Sequence, residues 1–256
     1  MSETEKIEFL LGTIRPMAEA TFPYLTSIIG WDDPRQFALI GSGFLLRSRG
    51  RRLLVTADHV IRQASGHQSI GISTGFGSPP FPIAPTILES DLEADLAVLE
   101  LPSDYRPTDD KSFLDPARID SDPGHRYRDI LFSQGFPGQR SRFIPFDGFG
   151  RGLHLKSLPC GAMQRDDPPP DLRTYQFAIH YEANGGIPGE PRGEGWLDPK
   201  GMSGAPVFRV GGFDAPVSGW SPDRSRLVGV LTGWDQEGQF LIATGIQRLI
   251  SLIGDR

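Results

Sequence analysis

The sequence contains a single cysteine, Cys160, among 256 residues, so no disulfide can form within the chain. Many secreted proteins carry several disulfides, because they fold in an oxidising compartment. The first residues, Met1 to Lys6, lack the basic-then-apolar profile of a signal peptide, and no apolar run approaches the length of a membrane span. We therefore expect a protein of a reducing compartment, most simply the cytoplasm.

The chain also lacks an excess of positive charge. Its formal net charge is −6, and its basic residues are scattered. The densest basic stretch, Arg47–Arg52, lies between two apolar runs and is typical of a hairpin tip. A nucleic-acid groove needs a clustered basic face with stacking aromatic side chains, and we find neither. We predict no nucleic-acid partner and no membrane partner. The spacings typical of zinc ligands are missing, so we expect no metal and no organic cofactor.

Glycine and proline are abundant, at 31 and 23 residues, and they are spread along the whole chain. Between them lie short apolar runs of strand length, which predict many strands joined by turns. Two segments instead predict helices: a weak pattern from Ile7 to Ala20, which Pro16 should interrupt, and a stripe at positions 246, 249, 250 and 253. Many short strands with one terminal helix favour an all-β fold. The polar, turn-rich residues 103–128 are predicted to link two halves.

Three segments carry residues that could perform chemistry. In Gly201-Met-Ser-Gly-Ala-Pro-Val-Phe, a tight turn at a strand entry can expose the Ser203 hydroxyl and aim the Gly201 and Ser203 amides at one point. In Leu54-Val-Thr-Ala-Asp-His-Val-Ile, His59 directly follows an apolar strand. In Glu93-Ala-Asp-Leu-Ala-Val-Leu, Asp95 heads a buried strand, where a carboxylate needs a partner. Taken singly, each has a structural alternative: a turn serine, a structural histidine or a strand-capping aspartate.

Together, these segments favour nucleophilic catalysis, because a carboxylate can orient an imidazole that in turn activates a hydroxyl. The order His59, Asp95, Ser203 and the surrounding motifs resemble those of the trypsin-like (chymotrypsin-fold) serine proteases. The elements Gly41-Ser-Gly-Phe-Leu-Leu and Gln134-Gly-Phe-Pro-Gly are also similar to the family's, and the resemblance spans about residues 37–250. It is closest to the intracellular, disulfide-free branch that includes the core of HtrA-like proteases, without a PDZ domain.

The resemblance implies an all-β fold of two six-stranded antiparallel barrels, with the active site between them and a C-terminal helix. It divides the chain into an N-terminal extension over residues 1–30, a first barrel over 31–120 carrying His59 and Asp95, and a second barrel over 121–256 carrying Ser203. The implied activity is that of a serine endopeptidase working through an acyl-enzyme. In this scheme the triad is His59, Asp95 and Ser203, the Gly201 and Ser203 amides form the oxyanion hole, and the substrate is a protein or peptide.

The resemblance also implies a substrate pocket. Its floor should come from Leu197 or Asp198, and we favour Leu197, which would select an apolar or small side chain. Asp198 at the floor would instead select lysine or arginine. The implied walls of the pocket are Thr232, Gly233, Trp234 and Phe240.

Three positions depart from the family pattern. Met202 stands where members with zymogen activation carry an aspartate that receives a new α-ammonium group, so activation of that kind is not expected here. Ala205 replaces the second glycine after the nucleophile, which is a mild change. Asp58 replaces the alanine before the histidine, and we expect its carboxylate to face solvent.

Other functions remain as alternatives at this stage. The first is a latent or inactive module of the same fold, serving as a binding component under the control of a regulatory protein partner. An α/β-hydrolase is disfavoured, because that fold requires Gly-x-Ser-x-Gly and the order Ser, Asp, His. A purely structural all-β domain would require three spaced motifs to coincide by chance.

Overall fold

The computed structural model describes residues 3–33, 36–73, 79–84, 87–108, 111–120, 130–146, 150–155, 157–163, 169, 171–181, 198–210 and 219–254. Its helices and strands are, in chain order, α1 (Glu3–Thr21), β1 (Leu25–Asp33), β2 (Gln36–Ser48), β3 (Arg51–Thr56), α2 (Asp58–Ala64), β4 (Ser69–Ile72), β5 (Phe81–Pro82), β6 (Ile87–Asp91), β7 (Leu96–Glu100), β8 (Ile130–Gly135), β9 (Ser141–Phe146), β10 (Gly150–Leu155), β11 (Leu158–Met163), β12 (Gln176–His180), β13 (Pro206–Arg209), β14 (Arg226–Asp235), β15 (Phe240–Gly245) and α3 (Ile246–Gly254).

The strands form two large antiparallel sheets, which confirms the predicted all-β class. The first sheet has the order β5-β4-β1-β2-β3-β7-β6, and the second has the order β11-β8-β13-β14-β15-β12. The first therefore contains seven described strands rather than six, because the two-residue strand β5 pairs with the edge of β4. Among the described strands, β9 and β10 pair only with each other. Within the predicted linker, Leu114 bridges to Leu46 of the first sheet and Ile119 bridges to Leu227 of the second.

The hairpin predicted around the basic stretch joins β2 to β3. Arg49 and Gly50 form its tip, with φ angles of 49° and 79°. Positive φ at both turn residues gives the twist that matches two right-handed strands. The neighbouring Arg52 is not simply solvated, because its guanidinium donates hydrogen bonds to the carbonyls of Pro102, Ser103 and Tyr105. It therefore fastens the segment that follows β7 to the hairpin.

One apolar core is shared by the two sheets and the terminal helices. The first sheet contributes buried side chains from β2, β3 and β7, and the second contributes them from β8, β13 and β14: Phe44, Leu46, Leu53, Val55, Leu96, Val98, Ile130, Phe132, Phe208, Leu227 and Val230. Helix α3 adds Ile246, Leu249 and Ile253 from its predicted stripe. The shared core fixes the two sheets against each other, and with them the loops that face each other across the junction.

Helix α1 runs without a break from Glu3 to Thr21, so the predicted interruption at Pro16 is wrong. Phe9, Thr13 and Met17, four residues apart, are all buried along one face. Their burial offsets the hydrogen bond that proline removes, because tertiary packing contributes most of a helix's stability in a folded protein. The Thr21 hydroxyl also donates to the Met17 carbonyl at 2.8 Å. No helix in the described part of the chain is long and apolar enough to cross a membrane.

Candidate active site

The predicted catalytic side chains lie at the start of one helix and in two turns. His59 is the second residue of α2, directly after β3, and Asp95 lies in the turn between β6 and β7. Strands β3 and β7 are neighbours, with Thr56 paired to Ala97, so His59 and Asp95 lie at the same end of the first sheet. Ser203 lies in the turn that leads into β13 of the second sheet.

The Asp95 carboxylate contacts His59 through both of its oxygens. Oδ2 lies 2.6 Å from the imidazole Nδ1, and Oδ1 accepts the backbone N–H of His59 at 2.8 Å. A carboxylate opposite Nδ1 stabilises the tautomer that carries its proton there, which leaves Nε2 able to accept a proton. The carboxylate is 22% exposed and the imidazole 37%, so the pair reaches solvent on one side.

The backbone of Asp95 adopts a conformation that few residues favour. Its φ is +54°, in the left-handed region, which aspartate tolerates better than most residues. Hydrogen bonds from α2 and from the second sheet hold this turn in place. The Asp58 N–H donates to the Asp95 carbonyl at 3.2 Å, and the buried Thr244 hydroxyl of β15 donates to the Ala94 carbonyl at 2.7 Å. The position of the carboxylate thus depends on contact between the sheets.

Residues 198–205, which we call the nucleophile loop, contain two glycines that no other residue could replace without strain. Gly201 and Gly204 have φ angles of 97° and 89°. A Cβ at Gly204 would lie 2.1 Å from the Ser42 carbonyl oxygen, and one at Gly201 would lie 2.6 Å from the Phe136 carbonyl oxygen. Both positions therefore require glycine for conformation and for space.

The peptide planes of this loop turn two amides away from the partners of the preceding carbonyls. The Lys200 carbonyl accepts from Gly138 N–H at 2.8 Å, and the Met202 carbonyl accepts from Ala205 N–H at 2.9 Å. In a trans peptide, the carbonyl and the following N–H point to opposite sides, so the Gly201 and Ser203 amides turn away from these partners. Neither amide donates a hydrogen bond to any residue in the described ranges. Their role as an oxyanion hole stays a prediction.

The nucleophile loop packs against the first sheet beside α2. A Cβ added at Gly41 would lie 2.7 Å from the Val60 side chain and 3.2 Å from the Ser203 carbonyl oxygen. Gly41 therefore separates Val60, the residue after His59, from Ser203 by the width of one backbone. Although both are described, Ser203 Oγ and the His59 ring share no hydrogen bond. In free enzymes this bond is often long, and it tightens when substrate binds.

The structure overturns the expectation for Asp58. Its carboxylate does not face solvent but is almost fully buried, 2.6 Å from Arg62 Nε and 2.5 Å from the Ser90 hydroxyl. The Asp58 carboxylate is thus paired with a residue of its own helix and points toward β6. Met202, which stands where zymogen-activated members of the family carry an aspartate, is 1% exposed and packs into the second sheet's own core.

The predicted substrate pocket is only partly described. Leu197 lies outside the described residues. The Asp198 carboxylate accepts the Lys200 N–H at 2.9 Å, and Lys200 Nζ is 3.4 Å away, so this acid is bound within the nucleophile loop. The predicted wall residues Thr232, Gly233 and Trp234 lie on β14, and Phe240 begins β15.

A cavity of about 690 Å³ opens at the end of the β14–β15 hairpin, lined by Trp234, Asp235, Gln236, Glu237 and Ile242. Of the predicted pocket residues that the structure describes, only Trp234 lines it. The assignment of the substrate pocket stays a prediction.

One residue at this junction was not singled out from the sequence. Ser42, in the middle of β2, is fully buried, and its backbone N–H donates to the Ser203 carbonyl at 2.9 Å. The signals were a serine between two glycines within an otherwise apolar run and the likeness of Gly41-Ser-Gly-Phe-Leu-Leu to the family's element. A buried hydroxyl needs a partner, but the sequence does not show which one.

Comparisons with known proteins support the fold but not a closer relationship. No family model and no curated protein matches this sequence. Among solved structures, the active form of the Rv3671c protease from M. tuberculosis matches with a TM-score of 0.50 and 17% identity, over 95% of this chain and 86% of that one. The MamO protease domain from Magnetospirillum magneticum, in its apo form, matches with a TM-score of 0.50 and 13% identity, over 90% and 96%.

The chain has the chymotrypsin-like fold. Its two antiparallel sheets and C-terminal helix are those that the motifs predicted, and the likeness to the two proteases covers most of the chain. At these identities the likeness concerns the fold alone. In the chymotrypsin-like fold of this chain, the loops with His59, Asp95 and Ser203 lie along the junction between the sheets.

Proposed function

We propose that the chain is a serine endopeptidase in which Ser203 is the nucleophile, His59 the general base and Asp95 the residue that orients it. The observation that carries this proposal is the two-point contact of Asp95 with the backbone N–H and the Nδ1 of His59. A carboxylate held at both oxygens fixes the imidazole in one orientation and one tautomer. Asp32 makes a similar pair of contacts at His67, but there the backbone N–H is that of Gln68 rather than of the histidine. His59 differs also in that its helix packs beside the loop that carries Ser203.

In the proposed reaction, Ser203 Oγ forms a bond to the carbonyl carbon of a peptide while its proton passes to His59 Nε2. The carbonyl oxygen becomes an oxyanion, which the Gly201 and Ser203 amides bind. When the intermediate collapses, the carbon–nitrogen bond breaks and His59 returns the proton to the leaving amine. Water then repeats the sequence on the acyl-enzyme, which releases the second product and restores Ser203.

A latent module of the same fold is the second candidate, and one observation favours it. Ser203 Oγ and His59 are not hydrogen-bonded, so the last contact of the triad is not made in the free chain. A substrate or a regulatory protein that shifts the nucleophile loop toward α2 would complete it. In that case the chain would act as a partner-regulated component rather than as a free-standing peptidase.

A fluorophosphonate probe distinguishes the two functions. In its reaction, Ser203 Oγ bonds to phosphorus, fluoride leaves and the hydroxyl proton passes to His59. We expect mass spectrometry to find the label on Ser203 and to find none in Ser203→Ala. The rate should fall by about 10⁴-fold in His59→Ala, because the triad acts as a unit.

His67→Ala is the matched control, because His67 also contacts an aspartate through Nδ1, Asp32 at 3.1 Å, but its ring packs against Gly30 of β1. Its labelling rate should equal that of the wild type. A folded wild-type chain that takes up no label would refute free-standing activity and support the latent module. Label that persists in Ser203→Ala would refute the assignment of the nucleophile.

A further inference from the structure

The Ser42 hydroxyl joins three segments that are distant in the sequence. It lies in β2 of the first sheet and is fully buried. It donates to the Gly201 carbonyl at 2.7 Å and accepts the Phe136 N–H at 2.8 Å. Gly201 belongs to the nucleophile loop, and Phe136 follows directly after β8 of the second sheet. A single side chain of one sheet therefore connects two loops of the other.

The backbone of Ser42 contributes to the same arrangement. Its N–H donates to the Ser203 carbonyl at 2.9 Å, and its carbonyl accepts from the Thr56 hydroxyl at 2.7 Å. Ser42 thus binds the carbonyls of Gly201 and Ser203, which lie on either side of Met202. An apolar residue in β2 could supply the backbone contact, but only a hydroxyl at this position can supply the bonds to Gly201 and Phe136.

These bonds determine the direction of the Gly201 amide. Gly201 has no side chain, so its two flanking peptide planes can rotate unless they are held. The Gly201 carbonyl is held by Ser42, and the Lys200 carbonyl is held by Gly138 N–H at 2.8 Å. The segment that carries Gly138 is itself fastened by the bond between Phe136 N–H and Ser42. The Ser42 hydroxyl therefore binds the Gly201 carbonyl directly and also holds the start of the segment that binds the Lys200 carbonyl.

We propose that Ser42 is a positioning residue that aims the Gly201 N–H at the oxyanion. The proposal rests on the proposed peptidase function, since it concerns the same site. Without the Ser42 hydroxyl, the Phe136 N–H and the Gly201 carbonyl lose their partner. The peptide plane that follows Gly201 can then rotate, and the segment that holds the plane before it is less firmly fixed. The nucleophile and its base are untouched, so the substitution should weaken only the stabilisation of the transition state.

The test compares Ser42→Ala with Ser225→Ala in their reaction with a fluorophosphonate probe. Ser225 is a matched control, because its hydroxyl is also fully buried, accepts from Arg118 at 2.5 Å and donates to the Pro222 carbonyl at 2.6 Å. Removing one oxyanion donor outright costs about 10²–10³-fold in rate, so misdirecting it should slow the maximal labelling rate of Ser42→Ala by about 10- to 100-fold.

The half-saturating probe concentration and the pH midpoint of labelling should stay within error of the wild type, as a defect confined to transition-state binding requires. Ser225→Ala should label at the wild-type rate. Ser42→Cys keeps the size of the side chain but donates only weakly, so its rate should lie between those of the wild type and Ser42→Ala. If Ser42→Ala fails to fold, the comparison uses Ser42→Cys.

Hydrogen exchange gives a second result that does not depend on activity. The Phe136 amide and the amides of Met202 and Gly204 should exchange faster in Ser42→Ala than in Ser225→Ala. If the wild type labels, a rate for Ser42→Ala within threefold of wild type overturns the proposal. If the wild type does not label, the proposed peptidase activity fails on its own, and exchange alone decides whether Ser42 positions the loop. Unchanged protection of these amides would then overturn that role.

Discussion

Replacing Asp95 with asparagine tests the orienting contact without removing the side chain. In the native site, one carboxylate oxygen accepts the backbone N–H of His59 at 2.8 Å and the other lies 2.6 Å from Nδ1. Asparagine has one oxygen, which must face the backbone N–H. Its NH₂ group therefore faces Nδ1, and two donors cannot face each other. The imidazole should adopt the tautomer with its proton on Nε2, which cannot accept the proton of Ser203.

The size of the expected effect follows from this change of tautomer. Where an asparagine leaves the geometry of a triad intact but reverses the tautomer, the rate falls by about 10⁴-fold, which is about 5 kcal/mol of activation free energy. Stability should change little, because the bond to the backbone N–H is kept. The assay is the maximal rate of fluorophosphonate labelling at Ser203, with urea unfolding measured in parallel.

Asp32→Asn is the matched control for Asp95→Asn. Asp32 accepts the Gln68 backbone N–H at 2.7 Å and lies 3.1 Å from His67 Nδ1, so it makes the same two kinds of contact at the surface. Its substitution should leave the labelling rate unchanged. An Asp95→Asn variant that keeps more than a tenth of the wild-type rate would refute the orienting role. Equal losses in both variants would indicate a general effect on folding.

Three further predictions concern stability and reactivity. Gly204→Ala should lower the free energy of unfolding by more than about 2 kcal/mol, because its Cβ would lie 2.1 Å from a backbone oxygen. Gly50→Ala, with φ +79° and open space around the new Cβ, should lower it by only about 1 kcal/mol, as measured by urea unfolding. Equal losses in the two variants would contradict the steric argument. Burial raises the pKa of the Cys160 thiol from 9.0 to about 12. Ellman's reagent at pH 8 should therefore react about 10³-fold more slowly with the folded chain than with the unfolded one. Comparable rates would show that the thiol is not desolvated. Over this range the folded state keeps the thiol proton while the unfolded state loses it. The free energy of unfolding should therefore decline as the pH rises from about 9 toward 12. Tyr105→Phe should raise the free energy of unfolding by about 1 kcal/mol, because the buried Tyr105 hydroxyl has no hydrogen-bond partner among the described residues. Tyr175→Phe removes a bonded hydroxyl and should not raise the free energy of unfolding. A decrease in Tyr105→Phe would reveal a partner of the hydroxyl.

The parts of the site that were predicted from the sequence share a local origin. His59 follows an apolar strand and Asp95 precedes one, so each has a defined place at a strand end as soon as the strands are recognised. The α3 stripe was equally local, and Ile246, Leu249 and Ile253 are buried as it predicted. The contact between His59 and Asp95 then follows from the pairing of β3 with β7.

Predictions that depended on distant partners failed or were not made. Pro16 was expected to interrupt α1, but the burial of Phe9 and Met17 against the second sheet outweighs the hydrogen bond that proline removes. Asp58 was expected to face solvent. Its partner Arg62 lies four residues away and could have been noticed, whereas Ser90 comes close only because β6 joins the first sheet.

By itself, the sequence determined the strand-rich class, the terminal helix and the loops that carry His59, Asp95 and Ser203, because each depends on neighbours within a few residues. The tertiary structure alone decided how the nucleophile loop is held. Ser42 is 159 positions from Gly201 and 94 from Phe136, and its hydroxyl reaches both only where β2 of one sheet meets the loops of the other. A buried serine must find a partner, but which partner it finds depends on how the two sheets pack.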